Sequence, residues 1–371
     1  MIWILIAGLL LFLVLQTLVF RIGWQKGLTV SVKFLDTYVY EGDSSKLQET
    51  VVNRKWLPIS ALEVSMAMSR NLQFAGEAAE NTINTDQSYK RDLFSFLFHE
   101  KITRTLDFVA TKRGHYTISE VDLNVYDYLY RSAGFAMLPQ NTELYVYPAQ
   151  VDTRRLNIVC TAISGMLPVN NALFPDPFEF SGIREYVPTD PMNRINWKST
   201  ARQGKWMVNQ FDSTTNYDPI LVLDLEDAGI WRQEKLIEES IRIVSSLAAR
   251  FLTKRMPLQL VSNAGIWESF AAGSGQITQI NRMLACVGEA RQTGIALLAE
   301  LEPELMQTKS AGNGRICILV SKNNRPELIE RVGVMANAAT PFLWIFPRMS
   351  NEEEWQPNLA HVRVLNWEVK V

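Results

Sequence analysis

Two short stretches of this 371-residue chain concentrate side chains that could do chemistry. The first, residues 181–212 (SGIREYVPTDPMNRINWKSTARQGKWMVNQFD), sets Arg184, Arg194, Lys198, Arg202 and Lys205 among Glu185, Asp190 and Asp212, with Tyr186, Trp197 and Trp206 interleaved. Asp190 before Pro191 reads as a helix start, because a carboxylate accepts hydrogen bonds from free backbone amides and proline suits the first helical position. Gly204 reads as the stop. A helix over Pro191 to Gln203 would line Arg194, Lys198 and Arg202 along one face at steps of four, with Trp197 and Ala201 on a neighbouring face that can bury. Three uses compete. The arginines could brace a domain junction through bidentate pairs with Glu185, Asp190, Asp212 or other acids. The lysines, Lys198 and Lys205 above all, could dock an acidic partner. The cluster could also capture a small anion, which would want a cradle of backbone amides that the segment lacks.

The second stretch is the acid group Asp224, Glu226 and Asp227, which closes the apolar run PILVLDLED. In a parallel sheet, ligands favour the C-terminal ends of the strands, where Ser321 also falls at the end of RICILVS. Three carboxylates could gather around a hard cation. The ammonium of Lys322 would oppose it, and strand-end acids commonly pair with neighbouring bases. We expect no metal and no cofactor. His99, His115 and His361 stand singly, and there is no phosphate loop, H-E-x-x-H or G-x-S-x-G. Without an activated nucleophile the expectation is a protein that is not an enzyme. A net charge of -2 gives no overall attraction to nucleic acid. Cys160, Cys286 and Cys317 are odd in number, lack metal-ligand spacing and read as reduced, buried small hydrophobes.

Elements must position these groups. Hydrophobic residues make up 47% and charged residues 20%, enough for a sizeable core. Ile2 to Phe20 is a nearly unbroken apolar run; as a helix it would reach about 28 Å, close to a bilayer's hydrocarbon thickness. Trp3 and Trp24 flank it as interfacial rings do, and Arg21, Lys26 and Lys33 on the C-terminal side place the body in the cytoplasm by the positive-inside tendency. The run reads as an uncleaved single-pass anchor of the cell membrane, residues 1–24. From residue 28 to 150 the pattern alternates with period two, as at Leu62, Val64, Met66 and Met68 and at Val121, Leu123 and Val125. This predicts an antiparallel β-sandwich of about seven strands, with an exposed loop at residues 76–88. Residues 151–212 read as a connector, irregular up to Phe180 and then carrying the basic helix. From 213 to 371, buried strands alternate with amphipathic helices, which predicts a doubly wound α/β sheet. The fold class is thus α+β multidomain.

GIREYVPTDPMNRINWKSTAR, with RGHYTISEV and LYVYP before it and VLDLED after it, resembles the bacterial domain of unknown function 58 family over nearly the whole chain. The signature falls on Gly182, Arg184, Tyr186, Asp190, Ile195, Trp197, Ala201 and Arg202. The resemblance implies a membrane-anchored protein with a von Willebrand factor A-like C-terminal domain, associated with MoxR-type AAA+ ATPases. Family members usually begin with two spanning segments, where this chain shows one. Such domains often bind Mg²⁺ through Asp-x-Ser-x-Ser, which here reads Asp224-Leu225-Glu226-Asp227-Ala228, without either serine. The resulting expectation is a scaffold or adaptor working with such an ATPase or another envelope protein. The alternatives are a metal-dependent ligand-binding receptor domain and an enzyme of envelope precursors.

Overall fold

The computed structural model describes residues 2–74, 87–127, 132–166, 180–187, 190, 192, 195–211, 218–227, 233–307, 315–337 and 340–369. The chain forms two compact units, Met1–Ala149 with Asn281–Cys286, and Gln150–Ile280 with Val287–Val371.

The first unit opens with helix α1 (Ile2–Gly23), long and apolar enough over Ile6–Gly23 to cross a membrane. Among the described residues nine strands follow in two sheets. One has the order β1 (Leu28–Phe34), β3 (Ser44–Asn53), β7 (Lys101–Ala110), β5 (Leu72–Phe74). The other runs β2 (Tyr38–Tyr40), β9 (Ser132–Tyr147), β8 (Gly114–Tyr126), β4 (Ile59–Ser69), β6 (Gln87–Phe96). The expected alternation is present: Leu62, Val64, Met66 and Met68 are buried, as are Val121, Leu123 and Val125, and both sheets contribute to one core. Two features differ from expectation. The described residues form nine strands, against about seven expected, and β2 pairs parallel with β9 in sheets otherwise antiparallel. Of the expected loop at 76–88, residues 76–86 lie outside the described residues; Gln87 and Ser88 open β6.

Glu49 breaks the hydrophobic pattern of β3. Leu47, Glu49, Val51 and Asn53 lie on one face and are all fully buried. Burial and the neighbouring Asp92 push the Glu49 carboxyl up to about 8, while Asp92 itself takes a 2.6 Å ion pair from Arg104.

Trp24 is not an interfacial ring. It is 5% exposed and belongs with Phe20 to the core of the β-unit, because its indole lies against the backbone of Gly134, where only a residue without Cβ leaves room. His115 is not solitary: it meets Glu143 at 2.9 Å and stacks on Tyr145. Cys160 and Cys317 are buried as expected, but Cys286 is exposed.

In the second unit, residues 153–164 of the expected irregular connector form a helix, α2 (Thr153–Ser164), whose first turn is capped by Asp152 Oδ1 accepting a hydrogen bond from the Arg154 amide. A two-stranded ribbon of β10 (Phe180–Glu185) and β11 (Met207–Phe211) follows, with α3 (Trp197–Gln203) between its strands. The main sheet begins with β12 (Asp218–Leu223) and continues through α4 (Glu234–Thr253), β13 (Leu258–Ser262) and β14 (Ile266–Phe270). Helix α5 (Ile277–Cys286), whose residues from Asn281 on count with the first unit, and α6 (Gly294–Gln307) precede β15 (Arg315–Val320), α7 (Pro326–Met335), β16 (Phe342–Met349) and β17 (Val362–Val369). Its order is β14-β13-β12-β15-β16-β17, parallel except for β14. Ile220 and Val222 of β12 join a core with α6 and α7. The alternate residues Leu221 and Leu223 are equally buried, and α4 packs along these strands. A central strand covered on both faces needs a continuous apolar run, and PILVL supplies it.

The Trp24–Gly134 approach gives a direct test. Gly134→Val should force the indole out of its seat and lower stability by about 1–3 kcal/mol, as overpacking does. Urea unfolding of the full chain would read it, and an unchanged midpoint would contradict the packing.

Candidate functional site

The sequence places two groups of candidate residues, and both lie in the second unit. The basic segment is shaped by its ribbon. Arg184 stands opposite Val208 and Glu185 opposite Met207, and an isolated bridge between Ile195 and Val208 holds residue 195 extended. The helix expected over 191–203 is therefore not continuous through Ile195, and the described one is shorter. It begins after Asn196, whose side-chain oxygen accepts from the Ser199 amide at 3.0 Å. The stop is as expected: Gly204 takes the left-handed conformation, with φ of 66°.

Asp190 has a different task from helix capping. Its two oxygens accept from the Arg184 guanidinium at 2.7 and 2.6 Å, and one also accepts from the Val187 amide at 3.0 Å. This bidentate pair, the strongest ion-pair geometry available to a carboxylate, holds the Arg184 proton more firmly than usual. Lys205 pairs with Glu185 at 2.8 Å. Bracing is thus local for Arg184, and Lys205 shares its charge with an acid of the adjoining strand. Lys198 and Arg202 are exposed on α3. Arg194 and Asp212 lie outside the described residues, and of the three residues of the expected basic stripe α3 carries Lys198 and Arg202.

Trp197 does not bury. It is 66% exposed, and α3 has no buried residue. Instead Tyr186, Trp206 and Trp197 form a surface row, with ring centroids 5.6 Å apart for Tyr186 and Trp206 and 6.3 Å apart for Trp197 and Trp206. The ribbon fixes it, since the Tyr186 amide donates to Trp206 O at 2.8 Å and the Asn196 amide to Met207 O at 2.8 Å.

The strand-end acids occupy a closed network. Asp224 Oδ1 accepts from Asn263 Nδ2 at 2.6 Å and from the Glu226 amide at 2.9 Å; Oδ2 accepts from Ser321 Oγ at 2.7 Å. Glu226 Oε1 takes Arg325 at 2.9 Å, and Oε2 takes the Gly294 amide at 2.8 Å and Asn323 Nδ2 at 3.2 Å. Asp227 Oδ1 pairs with Lys322 at 2.5 Å, and Oδ2 accepts from the Gln233 amide at 2.7 Å. Every carboxylate oxygen of the three acids therefore has a protein donor. These carboxylates are occupied by an ammonium, a guanidinium, amides and a hydroxyl, a set of partners that does not fit a divalent ion. Among the described residues no group of three or more His, Cys, Asp or Glu is arranged to hold a metal. Burial raises the Asp224 carboxyl to about 6, against the lowering effect of its donors.

Sequence reasoning found Asp224, Glu226, Asp227, Ser321 and Lys322 here and missed Asn263, Gly294, Asn323 and Arg325. Asn263 was visible as the polar end of LQLVSN. Gly294 carried no signal, because its role depends on α6 approaching Asp224: a Cβ there would meet Asp224 Oδ2 at 2.5 Å.

No family model matches the chain, and no curated protein does. Among solved structures it is similar to the CARDB domain of a Pyrococcus furiosus protein, described in complex with di-metal ions: 16% identity, 32% of this chain, 93% of that chain and a TM-score of 0.20. A non-cellulosomal cohesin from Archaeoglobus fulgidus matches at 9% identity over 35% of this chain and 97% of its own, with a TM-score of 0.22. The third cohesin ScaC of Acetivibrio cellulolyticus, solved with a dockerin, matches at 13% over 32% and 99%, with a TM-score of 0.24. At these scores none of the likenesses bears on what this chain does.

Two measurements test the acid network. Asp224 binds its proton more tightly when folded than the ordinary carboxyl, near ~3.9, does when unfolded. Its protonation therefore favours the fold, and that contribution, complete below about pH 4, is lost as pH rises through about 6. The stability of the chain relative to Asp224→Asn should fall across that window, read as urea midpoints; a flat difference would contradict the burial. Separately, Lys322→Ala should cost about 3 kcal/mol by leaving Asp227 uncompensated in a poorly solvated site. A change within error in the same unfolding assay would show the pair to be idle.

Proposed function

We propose that this chain is a membrane-anchored adaptor, with α1 as its anchor and the ribbon β10–β11 with α3 as its partner-binding surface. The observation that carries the reading is the exposed aromatic row. Trp197 is 66% and Trp206 48% exposed, held side by side on a segment whose strongest charges, Arg184 with Asp190 and Lys205 with Glu185, are already paired. Large rings kept rigid and in water are what interface hot spots use. Lys198 and Arg202 add positive charge beside them, suited to an acidic partner.

The resemblance to the domain of unknown function 58 family supplies the partner: a MoxR-type AAA+ ATPase, or another envelope protein whose assembly the two would serve. On this reading the two-sheet unit is a β-sandwich, supported by its shared core, and the second unit is von Willebrand factor A-like, supported by its mainly parallel sheet with helices on both faces. The body lies in the cytoplasm, as the basic residues after α1 suggest. The receptor alternative needs a cation, and the carboxylates it would use are spent on protein donors.

Crosslinking in intact bacterial membranes, followed by purification of the full chain, should recover an AAA+ ATPase. Trp197→Ala with Trp206→Ala should reduce recovery at least about tenfold, the loss expected of two truncated hot-spot aromatics, while leaving the melting temperature unchanged. Equal recovery from both chains would remove the aromatic row as the docking surface.

A further inference from the structure

A second exposed aromatic group lies far along the sequence from the first, beside the end of α1. The loop after β3 presents Trp56, 76% exposed, and the turn between β6 and β7 presents Leu97 and Phe98, 65% and 53% exposed. Trp56 stacks on Phe98 with centroids 5.4 Å apart and planes at 20°, and His99 meets the same indole edge-on at 5.0 Å. None of these rings contributes to the core of the β-unit. Stacked, solvent-exposed aromatics on turn residues serve no folding purpose that the structure shows.

Their surroundings are tightly built. Asn53, fully buried, donates through Nδ2 to Leu57 O at 3.1 Å and Leu97 O at 2.8 Å, tying the two turns together. The His99 amide adds a bond to Lys55 O at 3.2 Å. Both turns are then tied to the helix. Lys55 Nζ donates to Gly23 O at 3.2 Å and to Trp24 O, placing a cation on the terminal carbonyls of α1, where the helix dipole favours it. The Arg54 amide donates to Gly27 O at 2.8 Å.

This geometry sets the level of the rings. Ile2 to Val19 spans about 27 Å at the helical rise, close to the ~30 Å of a hydrocarbon core. The next residue, Phe20, is already buried inside the β-unit, as is Trp24 four residues on. No linker separates span and domain, so the surface around the helix end must lie against the membrane. Trp56, Leu97 and Phe98 stand on that surface. Arg21, Lys26, Arg54 and Lys101, all exposed, flank the three segments in sequence, against one nearby acid, Glu100, which is engaged by the Leu97 amide at 2.7 Å. Aromatic rings with basic neighbours are the side chains that settle at the boundary of headgroups and acyl chains.

We propose that Trp56, Leu97 and Phe98 form a second membrane contact, entering the headgroup–acyl boundary of the leaflet from which α1 emerges. The proposal rests on the reading of α1 as a membrane span. The occupant of the patch is the lipid itself rather than a protein partner, because the patch is fixed to the end of the span.

The test uses the full chain in nanodiscs of phosphatidylcholine and phosphatidylglycerol, with or without bromine on the upper acyl chain, which quenches tryptophan emission on contact. The contribution of Trp56 is the difference between wild type and Trp56→Phe, and Trp3→Phe reports the span in the same way. Loss of both contributions in brominated discs is the expected result, together with recovery of the Trp56 emission in Leu97→Asp/Phe98→Asp. Quenching of Trp3 without quenching of Trp56 would overturn the second contact and leave the anchor standing. Failure to quench Trp3 would overturn the anchor and the contact with it. Near-UV circular dichroism of each variant verifies that the β-unit is folded.

Discussion

A carboxylate at the end of a strand buried on both faces cannot reach water, so the protein must supply its donors. Asp224 closes β12 under this constraint, and the organisation of the sheet's C-terminal edge follows from it. Asn263 comes from the end of β13, Ser321 from the end of β15 and an amide from the turn that holds Glu226. Glu226 and Asp227 extend the arrangement to the first turn of α6, to Lys322 and to Arg325 ahead of α7. A buried charge pair adds little net stability over apolar packing, but one with a missing partner is costly. The network therefore acts chiefly on geometry: loops that could wander are held in a single arrangement around one carboxylate.

The same logic separates the two aromatic surfaces from the polar network. In the ribbon, Arg184 and Asp190 satisfy each other within six residues, so the rings on that segment are left to face outward. Had Asp190 capped a helix, Arg184 would have needed another acid. Local pairing fixes the ribbon while leaving Trp197 and Trp206 exposed, which a long-range brace of the same arginine would not have done.

Much of the architecture was legible because period and burial coincide. The alternation in β4 and β8 and the continuous apolar runs of β12 and β15 mark strands of two kinds, and α4 and α7 follow from their amphipathic spacing. The elements that escaped had local signals opposed by context. Pro303 lies inside α6, whose Leu297, Leu298, Leu301 and Leu305 nevertheless bury one face in the core. Pro168, Pro175 and Pro177 made the connector look irregular and hid α2 upstream of them. The start of α3 was misplaced because the bridge from Ile195 to Val208 is a pairing thirteen residues apart that no capping rule contains. In the acid network the acids could be read and most of their donors could not, since Asn263, Gly294 and Arg325 meet Asp224 and Glu226 only through sheet topology. Trp24 shows the same limit: its partner, Gly134, is more than a hundred residues away.

The ammonium of Lys55 on the last carbonyls of α1, with Phe20 and Trp24 sunk in the β-unit, leaves no hinge between helix and domain. In a bilayer, a helix answers a change in hydrocarbon thickness by altering its tilt. With α1 as the proposed anchor, that tilt would not be absorbed by a flexible joint, and the β-unit would turn with the helix as one lever. On that proposal the thickness of the surrounding lipid would set how the β-unit is inclined to the membrane plane.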